Sequence, residues 1–527
     1  MPVGGIASSP LEPSNNWALN PLVAFAVVIL PSYRRTPEDR CNDFLLMSIS
    51  YPSHLAIWGT AIGLLAIFLF SCVQIPAFHH ADTQYYVQSA LLWPRGEVTF
   101  AASWIGSRDL VVFMYHLMFA TFGPSVDALS IGLALISLVT NVAIAATVFS
   151  LVRAPFAAAS VTLAAALIFA TLTSAYVTSI MQSPASDNFA VVTLACMWAL
   201  WSLGWRRGEP AKLFFWLPLV AGMTAHIRGE LIVFPTFAFL IAATCIQSIL
   251  WRVLVIRSAI AAGAFTIGLV LPALLWPLWV GAPKPHAYTG AFLIYYPFTE
   301  FARGTNGPAS AALADQLGLA PEAPIPFWDA IATTYSRSGA GVSDDMVTRA
   351  GLEAVRRNLG SWLVNGIESA KDIVLLPGTI SVHRMNWEEQ TAAARTVLED
   401  FDRYRVATSA QYGNDATAET RKLADQHISI LALMRSVIPP VQVETVLPGL
   451  ICVVAPLAVL GFAFRLDRYQ TTALLPPAFY AVFILMLGSF TNGSHPRYLA
   501  PLLGFDLLVC IICFTNSVSV QRVANPI

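Results

Sequence analysis

A carboxylate follows the first long apolar run of the chain. Asp82 comes shortly after an apolar run at about 55–75, and Tyr86 stands four residues further on. A carboxylate at the boundary between water and membrane is suited to act as a general base on a lipid-borne substrate. It is equally suited to cap the helix that follows, because an Asp side chain accepts hydrogen bonds from backbone amides two or three residues on. Asp82 is therefore either a catalytic base or the cap of a helix.

A second acid and two arginines stand beside other apolar runs. Asp187, in SIMQSPASDNF, stands at the start of another apolar run, where it could be a charge favoured at a helix N-terminus. Arg228 and Arg497 are candidate phosphate ligands, because a planar guanidinium offers two donors and keeps its charge. Either arginine could instead have no role in substrate binding and reach to lipid headgroups, and Arg228 could pair with Glu230.

Histidines and tyrosines accompany these charges. His226 and His495 each stand two residues before one of the arginines and are suited to donate to a phosphate or a sugar, although a lone interfacial histidine is more often solvated. Tyr85 and Tyr86 are suited to stack on a sugar ring, although tyrosines are common at membrane interfaces in any case. These four residues are predicted to bind substrate.

The composition is that of a membrane protein. Of the 527 residues 56% are hydrophobic and 12% are charged, against about 25% charged residues in a soluble domain. The mean hydropathy is +0.63. The formal net charge of -1 indicates neither a nucleic-acid partner nor a broad anionic surface. Six of the seven cysteines lie within apolar runs, which supports neither a disulfide framework nor a zinc site.

About ten apolar runs are long enough to cross a bilayer, for which about 20 residues are needed. We therefore expect an all-α polytopic membrane protein with about 10 (10–12) transmembrane helices. The runs are 55–75, 127–151, 156–178, 188–205, 212–225, 230–250, 258–281, 445–464, 471–490 and 498–517. The shorter apolar run at 19–30 could be an interfacial helix or an additional membrane segment.

The basic residues of the short connections predict the orientation. All six basic sets fall on one side of this span pattern, which is then cytoplasmic. They are Arg34, Arg35 and Arg40; Arg153; Arg206, Arg207 and Lys212; Arg252 and Arg257; Arg465 and Arg468; and Arg522. We expect a multi-pass protein of the plasma (inner) membrane with a cytoplasmic C-terminus and a large periplasmic or extracellular loop.

The span pattern divides the chain into four parts. They are an N-terminal cytoplasmic or interfacial segment at 1–54, transmembrane helices 1–7 at 55–281, an external domain at 282–441 and helices 8–10 at 442–527. Within the first external loop, 84–93 and 108–122 are predicted interfacial helices, too short to cross. Within the external domain, helical periodicity covers 345–364 and 387–405.

Several of these motifs, taken in order, resemble the C-type (GT-C) integral-membrane glycosyltransferases. Asp82 with Tyr86 resembles the acid and tyrosine of the first external loop in that family, and WIGSRDLVVFMYHLMFATFGPS resembles its interfacial helix. Asp187 resembles a second functional acid of the family, which makes it the second candidate catalytic residue. AHIRGE and GSHPRYLAPLL resemble its basic positions outside the membrane. The nearest branch is that of the protein O-mannosyltransferases and lipid A aminoarabinose transferases (glycosyltransferase family 39-like). Members of that branch often carry two adjacent acids where this chain has Asp82 and Thr83.

The resemblance implies a reaction and its partners. A sugar would pass from a polyprenyl-phosphate-linked donor to a membrane lipid, an envelope glycan or a protein on the outer face, with inversion at the anomeric carbon and Asp82 as general base. The resemblance implies no cofactor and no metal ion. No oligomeric state, sugar or individual acceptor is predicted.

Two other functions fit parts of the pattern. An O-antigen-type polymerase or ligase also has ten to twelve spans and one large external loop, and would depend on external basic residues such as Arg337, His383 and Arg384. It does not need an acid directly after the first span. A transporter or flippase is less well matched, because polar groups gather on one side rather than at the bilayer midplane.

Overall fold

The structure is a computed structural model of the chain, and part of the chain is described. The described residues are 43–73, 86–87, 90, 109–171, 186–206, 210–227, 234, 236, 238, 251–280, 294–327, 330, 344–375, 430, 433, 448–491 and 500–524. The chain divides into two compact units, residues 1–52 and 53–527. Within the described ranges there is no β-strand, and one isolated bridge joins Arg303 to Pro324.

The first half of the chain forms helices α1 to α7. They are α1 (Asp43–Val73), α2 (Asp109–Phe122), α3 (Val126–Leu151), α4 (Pro155–Thr171), α5 (Ser186–Arg206), α6 (Pro210–Thr224) and α7 (Trp251–Val280). The second half forms α8 to α14. They are α8 (Tyr295–Phe301), α9 (Pro308–Gln316), α10 (Asp344–Arg357), α11 (Leu359–Leu375), α12 (Pro448–Phe462), α13 (Arg468–Thr491) and α14 (Ala500–Ala524), with a 3-10 turn at Gly304–Asn306.

Five of these helices are long and apolar enough to cross a membrane, namely α1, α3, α5, α7 and α13. The shorter apolar helices are α2, α4, α6, α12 and α14. The predictions that the chain is helical and that several helices are long and apolar enough to cross a membrane are confirmed. The predicted runs 127–151, 188–205 and 471–490 match α3, α5 and α13 within three residues at each end. The predicted run 230–250 lies mostly outside the described residues, of which Phe234, Thr236 and Ala238 are helical.

Two tryptophans of α5 fix it against α13. Trp198 and Trp201 are fully buried, and their Nε1 atoms donate to the carbonyl oxygens of Ala473 at 2.9 Å and Thr472 at 3.0 Å. An indole N–H is costly to bury without an acceptor, so these bonds let two large apolar rings fill the core. The Trp198 ring also meets Phe505 of α14 edge-on, with centroids 6.1 Å apart. Helices α5, α13 and α14 therefore share one core.

Three of the predicted cytoplasmic connections meet at one end of the bundle, here called the Arg153 end. Arg153, after α3, forms an ion pair with Asp467, before α13, at 2.9 Å. Arg206, the last residue of α5, donates to the carbonyl oxygen of Phe149 at 2.6 Å. The opposite end, where α3 and α5 begin, is here called the Asn188 end.

Helices α8 to α11 are here called the inserted segment, and α8 to α10 share an apolar core of their own. Its fully buried rings include Phe298 and Phe327, with centroids 5.5 Å apart. The Glu353 carboxylate of α10 accepts from the amides of Ala309 at 3.0 Å and Ser310 at 2.8 Å, so it caps α9 from a distant part of the chain. The external domain predicted at 282–441 stays a prediction.

The helical pattern predicted at 345–364 is two helices rather than one. α10 ends at Arg357 and α11 begins at Leu359, with Asn358 between them. The Asn358 side chain donates to the Ala354 carbonyl at 2.9 Å, while its own carbonyl accepts from the Trp362 amide at 2.9 Å. The Asn358 side chain thus shares the Ala354 carbonyl with the Asn358 backbone amide, and this competition weakens the helix at that residue. The pattern predicted at 387–405 lies outside the described residues.

Candidate functional site

The predicted site residues are unevenly covered by the described ranges. Tyr86 and His226 are described with their side chains, and Asp187 is described as part of the first turn of α5. The others lie outside the described residues: Asp82, Tyr85, Arg228, His495 and Arg497. Arg337, His383 and Arg384 also lie outside. The roles of all these residues stay predictions.

Tyr86 belongs to a buried aromatic cluster at the Asn188 end. Its ring is fully buried and lies 6.4 Å from that of Tyr115, measured between centroids, at a tilt of 44°. Tyr115, on α2, also meets Phe189 of α5 edge-on, with centroids 5.4 Å apart. Edge-on and tilted pairs at these distances are favourable because the positive edge of one ring faces the negative face of the other. The cluster therefore joins the segment after α1 to α2 and to α5.

A buried hydrogen bond reinforces this junction. The Asn188 Nδ2 donates to the Tyr115 hydroxyl oxygen at 3.1 Å, and the Asn188 Oδ1 accepts from the amide of Phe189 at 2.7 Å. Asn188 and Tyr115 are both fully buried. An amide in such surroundings is expensive unless its donors and acceptor are used, so the bond favours one orientation of α2 against the start of α5. Asp187 immediately precedes Asn188.

Helix α2 is positioned from both sides. The His116 Nδ1 lies 3.2 Å from the Ala90 carbonyl oxygen, so this nitrogen carries the proton and donates it. On the other side, Gly132 of α3 leaves space that the Met118 side chain occupies. Beyond α2, Gly123 has a φ of 80°. Ser125 then caps α3 by accepting from the Ala128 amide at 3.0 Å.

Two helices were predicted in the first external loop, at 108–122 and 84–93. The helix predicted at 108–122 is α2, and the described residues of the helix predicted at 84–93 are helical. One face of α2 is buried, while Leu117 and Phe122 are exposed. That both helices lie in the membrane interface stays a prediction.

His226 lies in a second environment, where α6 meets α7. It is buried, and its Nε2 is 2.7 Å from the Leu269 carbonyl oxygen, so Nε2 carries the proton. The two helices approach closely here through Gly222 and Gly268, each of which faces backbone atoms of the other helix. Arg228 follows this junction by two residues along the chain. In this conformation His226 ties α6 to α7, and its predicted contact with substrate stays untested.

Two further carboxylates are fully buried. Asp127 lies in the first turn of α3 and Asp506 in α14. A carboxylate near a helix N-terminus, such as Asp127, is favoured by the helix dipole. Among the described residues, no group of three His, Cys, Asp or Glu side chains is placed to hold a metal ion.

Sequence reasoning did not identify Tyr115 or Asn188. Tyr115 was one aromatic residue in an apolar helix pattern, and Asn188 was the neighbour of a more conspicuous acid. The residues are 73 positions apart, so periodicity could not pair them. The available signal was the presence of polar atoms at positions that face a core, because buried polar groups require partners.

At this end of the bundle, then, the segment after α1 and the start of α5 converge on Tyr115. Comparison of the chain with protein-family models, with curated proteins and with solved structures finds no match.

Proposed function

We propose that the chain is a membrane glycosyltransferase that moves a sugar from a polyprenyl phosphate to a lipid, polysaccharide or protein acceptor on the outer face of the plasma membrane. Asp82 is the general base. Asp187 is the second acid of the site. Tyr85, Tyr86, His226, Arg228, His495 and Arg497 bind or position the substrates.

The observation that carries this proposal is the junction at Tyr115. Tyr86 stands four residues after Asp82, and Asn188 stands next to Asp187. Both Tyr86 and Asn188 contact Tyr115. Since four residues span at most about 14 Å when extended, the contacts tether both acid-bearing segments to one end of the bundle. The proposed transfer needs a carboxylate base near the membrane face at which the lipid-linked donor and the acceptor meet.

The proposed reaction is a displacement at the anomeric carbon. The acceptor hydroxyl oxygen forms a bond to this carbon as the bond from the carbon to the phosphate oxygen breaks. The acceptor proton passes to the Asp82 carboxylate, and polyprenyl phosphate leaves with both electrons of the broken bond. Because an oxocarbenium-like transition state is reached before the proton moves far, an ionised carboxylate suffices as base. Arg228 and Arg497 stabilise the charge that develops on the phosphate.

We also propose ten spans, with the Asn188 end outward and the C-terminus cytoplasmic. Helices α4, α6, α12 and α14 join the five long helices as spans, and the run 230–250 supplies the tenth. The described part of α4 has 17 residues, or about 25 Å, against about 30 Å of hydrocarbon. Support for the orientation comes from Arg153, Arg206 and Asp467, whose contacts gather three basic connections at one end.

The test of Asp82 is an isosteric substitution in cells. Asp82→Asn keeps the size of the side chain and its ability to accept a hydrogen bond from a helix amide, but removes the base. We expect loss of the glycan product with unchanged amounts of folded protein. The measurement is mass spectrometry of surface glycolipids, polysaccharides and glycoproteins from cells that lack the gene and carry either version.

The matched control is Asp315→Asn, which makes the same chemical change at an exposed acid of α9. This variant is expected to restore the full amount of product. Full activity of Asp82→Asn would remove the proposed base and favour a polymerase or ligase. Purified protein that moves a lipid-linked sugar across liposomes without modifying it would instead establish a flippase.

A further inference from the structure

Helix α11 of the inserted segment is held against the end of a spanning helix. The Trp362 Nε1 donates to the Phe490 carbonyl oxygen at 3.0 Å, and the centroids of the two rings are 5.2 Å apart. Gly366, one turn on, lies against the Phe490 ring with no room for a Cβ atom. Ser369 is buried on the same side. These positions, spaced by four and three residues, form the face of α11 that packs on the bundle.

A second face of α11 is apolar and exposed. Leu359, Leu363 and Ile367 recur at every fourth residue, and Val364 lies beside them. Their exposed fractions are 51%, 44%, 60% and 56%, in a helix that already buries another face in protein. An isolated exposed leucine needs no explanation, whereas four large apolar side chains in one stripe mark a surface that meets something apolar.

The third face of α11 is polar. Ser361, Glu368 and Asp372 are exposed and are spaced by seven and four residues, so they share one side of the helix. Lys371 is exposed four residues after Ile367, so it continues the line of the apolar face at the C-terminal end of the helix. The helix therefore has one face against protein, one exposed apolar face and one exposed polar face.

The depth of α11 follows from the length of α13. This helix has 24 residues, or about 36 Å, and Phe490 is the next to last of them. Its other end begins beside the ion pair of Arg153 with Asp467. Since the hydrocarbon core is about 30 Å thick, Phe490 and the helix packed on it lie at the opposite boundary between acyl chains and headgroups.

We infer that the exposed apolar face of α11 lies in the membrane, at the headgroup–acyl boundary of the leaflet at the Asn188 end. The occupant is lipid because α11 packs on α12 and α13, two apolar helices that also expose large apolar side chains. These side chains include Leu450, Leu457 and Phe483. Helices with this division into faces lie flat in membrane interfaces.

Two arginines add charge complementarity. Arg356 and Arg357 are exposed at the end of α10, directly before the apolar face begins at Leu359. At the depth just derived they stand level with lipid phosphates, to which a guanidinium offers two donors. Together with Lys371, which reaches to the headgroups from the other end of the apolar face, they hold the helix at one depth. The inserted segment is thus anchored to the membrane surface rather than standing free in water.

The test is photo-crosslinking of the whole protein in lipid nanodiscs. Benzoylphenylalanine is introduced at Ile367, on the apolar face, and in a separate variant at Glu368, on the polar face. After irradiation, mass spectrometry of the peptides identifies what each probe has captured. We expect lipid adducts at Ile367 in several-fold excess over Glu368, since neighbouring residues on a helix point about 100° apart.

The same experiment distinguishes the other occupants. Capture of a peptide from 376–447 would show that the chain covers its own helix, and a crosslinked dimer would show that a second copy does. Either result, or equal lipid labelling at the two positions, would overturn the inference. Because Ile367→benzoylphenylalanine could disturb folding, the probe is also placed at Leu363, which shares the apolar face, and size-exclusion profiles are compared with the unmodified protein.

Discussion

Removing one hydroxyl group tests whether the Tyr115 junction positions the proposed site. Tyr115→Phe keeps the ring contacts with Tyr86 and Phe189 but removes the acceptor that the Asn188 Nδ2 uses at 3.1 Å. Hydrogen bonds between membrane helices contribute about 0.6 kcal/mol on average, and a buried polar group that loses its partner costs about 1–3 kcal/mol. Because Asn188 is fully buried, we expect the free energy of unfolding to fall by about 1–2 kcal/mol.

The expected effect on turnover follows from the same bond. If the loss of this bond raises the activation free energy of the reaction by about 1 kcal/mol, the rate falls about fivefold. Product formed per folded protein is measured by mass spectrometry, and stability by denaturant titration in detergent. A double-mutant cycle with Asn188→Ala isolates the interaction between the two side chains, whose expected coupling is about 1 kcal/mol.

Tyr469→Phe is the matched control for this prediction. The Tyr469 hydroxyl lies 3.1 Å from the Ser202 carbonyl oxygen and 3.0 Å from the Ser150 hydroxyl, at the Arg153 end. Its loss should lower stability by a similar amount and leave turnover per folded protein unchanged. The reasoning is refuted if both variants reduce turnover equally, or if the coupling of Tyr115 with Asn188 is below about 0.3 kcal/mol, the usual scatter of additivity.

Three other substitutions test the packing. Glu353→Ala removes the acceptor of the Ala309 and Ser310 amides. The free energy of opening at the start of α9, measured by hydrogen exchange, should fall by about 2 kcal/mol, and Glu353→Gln should lower it by less. Gly268→Ala places a Cβ against the α6 backbone and should lower the free energy of unfolding, measured by denaturant titration, by about 1–3 kcal/mol. Its control is Gly263→Ala, on the same helix, where the Cβ would meet open space and the effect should be neutral or slightly stabilising. Ser125→Ala removes the cap of α3 and should cost about 1 kcal/mol in the same titration. Equal effects at Gly263 and Gly268 would contradict the close approach of α6 and α7.

The positions of the long helices were predictable because an apolar run needs no partner to be recognised. Helices α3, α5 and α13 begin and end near the predicted bounds, since polar or proline-containing connections flank each run. Helix α1 begins at Asp43, well before its predicted start at about 55, which was set by the apolar run alone.

Contacts between distant segments were not predictable from periodicity. The sequence indicated that the acids stand beside spans, but it did not indicate that Tyr86 and Asn188 share Tyr115 as a neighbour. The capping of α9 by Glu353 is of the same kind, because a helix pattern identifies the end that needs an acceptor and not the residue that supplies it. The interruption at Asn358 could have been predicted from the sequence, because an asparagine side chain that bonds to nearby backbone atoms weakens a helix.

The polar contacts at the Arg153 end bear on how the bundle moves. Carbonyl oxygens in the last turn of α3 accept from Arg206 of α5, from Gln470 of α13 at 2.9 Å and from Asn516 of α14 at 3.3 Å. Separating these four helices there would break every one of these bonds at once. Opening of the bundle at this end is therefore tied to the movement of α3, α5, α13 and α14 together, rather than to the fraying of any one of them.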